Sequence, residues 1–131
     1  MRLVIIGNGL AATRLVESLT ERAPGRFEIT LIGEERVHAY NRIQLSPVLG
    51  GEKEAAATQL HDESWYRTRG ITVVCGERVR AVDISARTLR TDSRQLVWDE
   101  LVFATGSQPF VPPIPGSHLP HVFTFRTLED V

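Results

Sequence analysis

Cysteine, lysine and methionine each occur once among the 131 residues. Because Cys75 is alone, the chain can form no internal disulfide, CxxC redox centre or cysteine-rich metal or iron–sulfur site. Lys53 is the single lysine, so any lysine chemistry would depend on that residue. The scarcity of cysteine suits a reducing compartment, and we expect a cytoplasmic protein that binds no metal.

The sequence also lacks long apolar runs and a strong excess of one charge. No apolar run approaches the roughly 18 residues that cross a membrane, and the run at Leu3–Ile6 is too short for a signal-peptide core. A formal net charge of -1 disfavours a basic nucleic-acid binder. We therefore expect neither a membrane nor a nucleic-acid partner, and the length suits one domain with one core.

The first third of the chain predicts a strand, a tight turn, a helix and a second strand. Arg2–Ile6 is an apolar run with β-branched residues, and a helical apolar period begins at Leu10. Pro24 and Gly25 end that helix. Glu28–Ile32 is the second strand, closed by Gly33. Two strands joined by a helix indicate a parallel sheet.

The later segments extend this α/β pattern. Asp62–Arg69 predicts a short helix, Ile71–Cys75 a third strand and Leu101–Ala104 a fourth strand. Between the last two, residues Val79–Trp98 alternate and turn like a small antiparallel meander. Residues 34–59 show poor periodicity and are interpreted as an ordered binding loop. We predict a mostly parallel sheet with an inserted antiparallel β-meander, and we expect Trp65, Tyr66 and Phe103 to fill the core.

A glycine motif stands between the first strand and the first helix. Gly7, Gly9 and Ala12 fit the spacing G-x-G-x-x-A in the strand–helix context that a dinucleotide site requires. The first glycine permits the tight turn, the second lets a pyrophosphate approach the backbone, and the alanine keeps helix and strand close. The backbone amides of Leu10 and Ala11, at the start of the helix, would face the phosphates. The alternative is a simple strand–helix turn.

Two acidic residues follow the second strand. Glu34 stands 22 residues after Ala12, close to the spacing at which an acid binds ribose hydroxyls. Such a carboxylate would repel a 2′-phosphate. Glu34 is favoured over Glu35 because it directly follows Gly33, although both could be solvated turn residues.

The last strand and the irregular segment supply further candidates. Ala104, Thr105 and Gly106 end the last strand, where the backbone can reach a dinucleotide at the carboxyl edge of the sheet. Arg42 offers a fork of donors for phosphate, and equally suits a solvated surface. No general acid, base or nucleophile stands out, so we predict no catalytic residue.

Together these residues resemble the pyridine nucleotide–disulfide oxidoreductases. Within this family, the resemblance is greatest to the N-terminal flavin domain of the NAD(P)H-dependent nitrite reductase branch. It is carried by the segments Tyr40–Gly51, Trp65–Arg67 and Ala104–Phe110. The resemblance implies a Rossmann-like FAD-binding domain over residues 1–108. It implies that FAD is bound by the glycine motif, Glu34 and the Thr105-Gly106 turn, with Arg42 along the flavin and the backbone of Val79 at the adenine.

The resemblance also implies what lies beyond these residues. Five of the seven prolines fall within Pro109–Pro120, so residues 109–131 are interpreted as a stiff linker and the start of a next segment. Relatives carry a second glycine motif for NAD(P)H, absent here, and pass electrons from FAD to a later redox centre. The chain is thus expected to be an N-terminal fragment that is inactive alone and self-associates into a homo-oligomer.

One departure separates the branches of the family. Ferredoxin-reductase relatives carry Ser-Lys where this chain has Ser46-Pro47, which matches the nitrite reductase branch. Two other functions stay open from the residues alone. The chain could be an NAD-binding module of an ordinary dehydrogenase, or a non-catalytic domain that senses nucleotides.

Overall fold

The computed structural model describes residues 1–131, which group into two compact units. The first unit comprises Met1–Tyr40 and Leu60–Gly106, and the second comprises Asn41–Gln59 and Ser107–Val131. In chain order the strands and helices are β1 (Arg2–Ile6), α1 (Leu10–Arg22), β2 (Glu28–Gly33), α2 (Leu45–Leu49), α3 (Glu63–Thr68), β3 (Thr72–Cys75), β4 (Ala81–Asp83), β5 (Thr88–Arg90), β6 (Gln95–Val97) and β7 (Glu100–Phe103).

A four-stranded parallel sheet with the order β3-β2-β1-β7 forms the centre of the first unit. Ile6 at the end of β1 pairs with Ile32 of β2 on one side and with Phe103 of β7 on the other. The chain leaves β1 through α1 toward β2, whereas β7 returns much later to the opposite side of β1. The carboxyl end of β1 is therefore a topological switch point, the place where open α/β sheets bind ligands.

Side chains alternate between the two faces of this sheet, and each face has its own core. The helical face buries residues of β1 and β2 against α1 and α3. Its members are Leu3, Ile5, Ala12, Val16, Ile29, Leu31, Tyr66 and Ile71. The other face packs against the segment that contains β4, β5 and β6, through Val4, Ile6, Ile32, Val74, Leu89 and Trp98. Because both faces are covered, the strands are apolar at nearly every position.

The predicted α/β fold is confirmed. β4, β5 and β6 form an antiparallel three-stranded sheet within the predicted meander. The predicted short helix is α3, and Asp62 caps its amino terminus: the Asp62 carboxylate accepts a 2.8 Å hydrogen bond from the backbone amide of Trp65. Tyr66 is buried as expected.

The expectation that Phe103 fills the core is wrong, since its side chain is 65% exposed. Phe103 is the last residue of β7, an outer strand of the sheet. It alternates onto the face of Leu101, which packs against the second cluster, but Phe103 belongs to neither cluster. An alternating apolar pattern predicts the face of the sheet on which a side chain lies. It does not show how far other segments of the protein cover that face.

The second unit contains residues 41–59 of the segment interpreted as an ordered loop. It forms a 3-10 turn at Arg42–Gln44, the short helix α2 and a second 3-10 turn at Ala55–Thr58. The side chain of Asn41 accepts a 3.1 Å hydrogen bond from the backbone amide of Ile43. Helices of five residues or fewer are too short to leave a helical period in the sequence, which explains why they were not predicted.

None of the helices combines the length and the apolar composition needed to span a lipid bilayer.

Candidate functional site

The glycine loop passes directly beside the end of β7. Gly7 has a φ of +118°, in the left-handed region that favours glycine. Its backbone amide donates a 2.7 Å hydrogen bond to the carbonyl oxygen of Ile32. A Cβ atom at Gly7 would stand 2.1 Å from the carbonyl oxygen of Ala104. The protein's own packing therefore requires glycine at position 7.

Gly9 is different, because nothing in the protein requires it to be glycine. Its φ of −120° is open to any residue. A Cβ atom built there would meet no protein atom within 4 Å. The loop thus exposes its backbone at the carboxyl edge of the sheet. We call the open space beside Gly9, which a side chain there would fill, the cradle.

The amino terminus of α1 begins at this cradle. Gly9 caps the helix without a side-chain hydrogen bond, and the first turn contains no acidic residue. The first backbone amide to bond back to the cap is that of Thr13, which donates to the Gly9 carbonyl oxygen at 3.0 Å. The amides of Leu10 and Ala11 precede it, and both residues are exposed. Such a helix end favours an anion, while Ala12 is fully buried against β1 and β2.

Asn8, which sequence reasoning did not single out, anchors the loop to its surroundings. A Cβ atom at Gly33 would lie 2.7 Å from the Asn8 Cβ, so Asn8 packs onto the end of β2. Its Nδ2 donates to the Val37 carbonyl oxygen at 3.5 Å and lies 3.8 Å from Cys75 Sγ. Burial raises the pKa of the Cys75 thiol, which fits a packing role. Asn8 occupies a variable position of the motif, and only the spatial contacts reveal its function.

The two acidic residues after β2 have different environments. The backbone around Glu34 is held on both sides, since Glu77 N donates to Gly33 O at 3.0 Å and Gly76 N donates to Glu35 O at 2.9 Å. The Glu34 side chain is 58% exposed and faces Arg78, with 3.4 Å between Oε2 and Nε. This carboxylate is accessible at the carboxyl edge of the sheet.

Glu35 is half-buried and accepts a short hydrogen bond. The hydroxyl of Tyr40 donates to its Oε2 at 2.6 Å. A carboxylate held in this way contributes to local structure. The difference between the two acids agrees with the preference for Glu34 as the ribose ligand, which stays a prediction.

The structure brings most, but not all, of the predicted site residues together in the first unit. The glycine loop, Glu34 and Ala104 lie along one edge of the sheet, and Ala104 N donates to Ile6 O at 2.7 Å. Thr105 and Gly106 follow directly and are exposed. Val79 is half-buried and packs against the second cluster.

Arg42 belongs to the second unit. There its guanidinium Nη1 donates to the carbonyl oxygen of Arg126 at 2.8 Å. The side chain is half-buried. Its predicted contact with a cofactor stays a prediction.

The sequence of the whole chain is similar to those of known oxidoreductases. Residues 1–131 match the family model described as pyridine nucleotide-disulphide oxidoreductase. The chain is 42% identical over 130 residues to an assimilatory nitrate reductase electron transfer subunit of Bacillus subtilis (strain 168), covering 98% of this chain and 17% of that protein. It is 40% identical over 130 residues to a nitrite reductase [NAD(P)H] of the same organism, covering 98% of this chain and 16% of that protein.

A solved structure supports the same grouping. The ferredoxin reductase for the CYP199A2 system from Rhodopseudomonas palustris superposes with a TM-score of 0.87 at 28% identity, covering 98% of this chain and 32% of that one. The chain spans 17% or less of the two curated relatives above. The resemblance inferred from the residues is confirmed, and the chain belongs to the pyridine nucleotide-disulphide oxidoreductase family.

Proposed function

We propose that this chain binds FAD and forms the flavin-binding part of an NAD(P)H-dependent oxidoreductase. The observation that carries the proposal is the contrast between the two glycines of the loop. Gly7 is required by a contact with Ala104, whereas Gly9 has open space where a side chain would be. A glycine that the fold does not need is explained by a ligand that approaches the backbone.

The residues present fit a dinucleotide at this edge. The amides of Leu10 and Ala11 at the start of α1 would hold the pyrophosphate, and Glu34 would accept hydrogen bonds from the adenosine ribose. Val79 would meet the adenine through its backbone. Thr105 and Gly106 would line the cofactor from the end of β7.

When bound, the flavin supplies a two-electron acceptor for hydride from NAD(P)H. The part of this chain is to bind and orient the cofactor, and no proton transfer is assigned to its residues. We place the parent protein with the nitrite reductase large subunits, which pass electrons onward to a later redox centre. Support comes from the similarity to the nitrite reductase [NAD(P)H] of Bacillus subtilis and from Pro47, which stands where the ferredoxin-reductase branch carries lysine.

The test is a calorimetric titration of this chain with FAD, ADP, FMN and NAD. We expect FAD and ADP to compete for one site and FMN to bind much more weakly, because the glycine loop and Glu34 are proposed to bind the ADP half of FAD. Equal affinity for FMN and FAD would contradict the assignment of the glycine loop. Tighter binding of NAD than of FAD would favour a dehydrogenase module.

A further inference from the structure

Arg78 lies beside the carboxylate that we assign to the ribose. Its Nε is 3.4 Å from Oε2 of Glu34, and the two side chains are 56% and 58% exposed. An ion pair this exposed adds little to the stability of a fold. Any effect of the contact therefore falls on the Glu34 side chain and not on the stability of the fold.

The backbone geometry brings this pair together. The amides of Gly76 and Glu77 donate to carbonyl oxygens on either side of Glu34. The segment that fixes the backbone of Glu34 thus continues directly into Arg78. With its backbone held, Glu34 keeps freedom only in its side-chain rotamers, and Arg78 is an ion-pair partner of that side chain.

Neighbouring arginines are held by other carboxylates. Arg80 forms two hydrogen bonds of 2.9 Å to the carboxylate of Asp92. Arg94 Nη2 lies 2.6 Å from Glu77 Oε1. Hydrogen bonding with Asp92, with a weaker contribution from the charge of Glu34, raises the pKa of Arg80. The charge of Glu34 therefore acts on Arg80 without a direct contact, whereas Arg78 forms an ion pair with Glu34.

We propose that Arg78 is a positioning residue that holds the Glu34 carboxylate ready for the ribose hydroxyls, and so sets a preference for adenosine nucleotides with a free 2′-hydroxyl. This assignment rests on the dinucleotide site proposed above. An acceptor that is already oriented loses less side-chain freedom when the ligand binds. The contact is an ion pair between Nε and Oε2 at 3.4 Å, so the carboxylate keeps acceptor positions for hydroxyl donors.

The experiment compares ADP with 2′-deoxy-ADP, which lacks the hydroxyl, by calorimetry on this chain. For the wild type we expect ADP to bind about tenfold more tightly, the effect of one good hydrogen bond to a charged acceptor. In Arg78→Ala the ratio should fall to about threefold or less, and Arg78→Lys should restore part of it. The melting temperature should not change, since the ion pair is exposed.

Arg80→Ala is the matched control. It removes a nearby positive charge without touching Glu34, so both nucleotides should lose affinity equally and their ratio should persist. A full ratio in Arg78→Ala, or equal losses for both nucleotides, would overturn the positioning role.

Glu34→Ala in the same assay separates this inference from the proposed function. If Glu34→Ala abolishes the preference and Arg78→Ala retains it, Glu34 is the ligand and the role of Arg78 is refuted. If the wild type binds no ADP at millimolar concentration, the dinucleotide site is refuted, and the role of Arg78 with it.

Discussion

Gly7 and Ala104 approach so closely that a Cβ on Gly7 would stand 2.1 Å from the Ala104 carbonyl oxygen. The contact joins the first loop of the chain to the last strand of the sheet. It fixes the glycine loop against the Thr105-Gly106 turn, and it separates the structural glycine of the motif from Gly9, whose surroundings are open.

The two glycines should therefore respond in opposite ways to substitution. Gly7→Ala should destabilise the fold by at least about 1–3 kcal/mol, from left-handed backbone strain alone. Gly9→Val should leave the melting temperature nearly unchanged and abolish FAD and ADP binding, because its side chain fills the space of the pyrophosphate. Thermal unfolding and calorimetry of both variants provide the measurements. A Gly9→Val protein that still binds FAD stoichiometrically would show that the motif is only a turn.

Substitutions of Glu34 and Glu35 should affect different properties, the first cofactor binding and the second stability. Glu34→Ala should weaken FAD binding by about 1–3 kcal/mol through lost charge-assisted hydrogen bonds, with no change in FMN binding or in stability. Glu35→Ala should lower the free energy of unfolding by about 1 kcal/mol, because it removes the carboxylate that accepts the hydrogen bond from the Tyr40 hydroxyl. Equal losses for FAD and FMN in Glu34→Ala would contradict its assignment to the ribose.

Gly33 and Asn8 should be coupled energetically. Gly33→Ala places a methyl group 2.7 Å from the Asn8 Cβ, so it should push the glycine loop aside and weaken both stability and nucleotide affinity. Asn8→Gly removes the obstructing atom, and the double variant should recover part of the loss. A double-mutant cycle in chemical denaturation measures the coupling, which we expect at about 0.5–3 kcal/mol. Strict additivity would argue against the contact.

Asp99 should make stability depend on acid pH. Its carboxylate accepts 2.7 Å hydrogen bonds from Arg2 Nη2 and from the Arg2 backbone amide, and these bonds hold the pKa of Asp99 well below its usual range. Because the folded-state pKa lies below the unfolded value, the contribution is present at neutral pH and fades as the pH falls below about 4. Asp99→Asn should be less stable than the wild type at pH 7, and melting temperatures should converge toward pH 2. A constant difference across this range would contradict the pairing.

The strands and the long helix were predictable because their signals are local. Buried parallel strands such as β1 and β2 are continuous apolar runs, and the stripe of α1 follows the helical period over 13 residues. Helix α2 was missed because five residues hold barely more than one turn. The burial of Phe103 was predicted wrongly because cover depends on segments distant in sequence.

The sequence by itself determined the strands of the parallel sheet, helices α1 and α3, the place of the glycine motif and the family, because each depends on residues that are neighbours along the chain. Only the tertiary structure decided which glycine serves the fold, that Asn8 anchors the loop, that Tyr40 holds Glu35 and that Arg78 meets Glu34. These relationships depend on which strands lie side by side at the carboxyl edge. Residue spacing along the chain does not show this proximity. The proximity arises only when β2 and β7 pair with the two sides of β1.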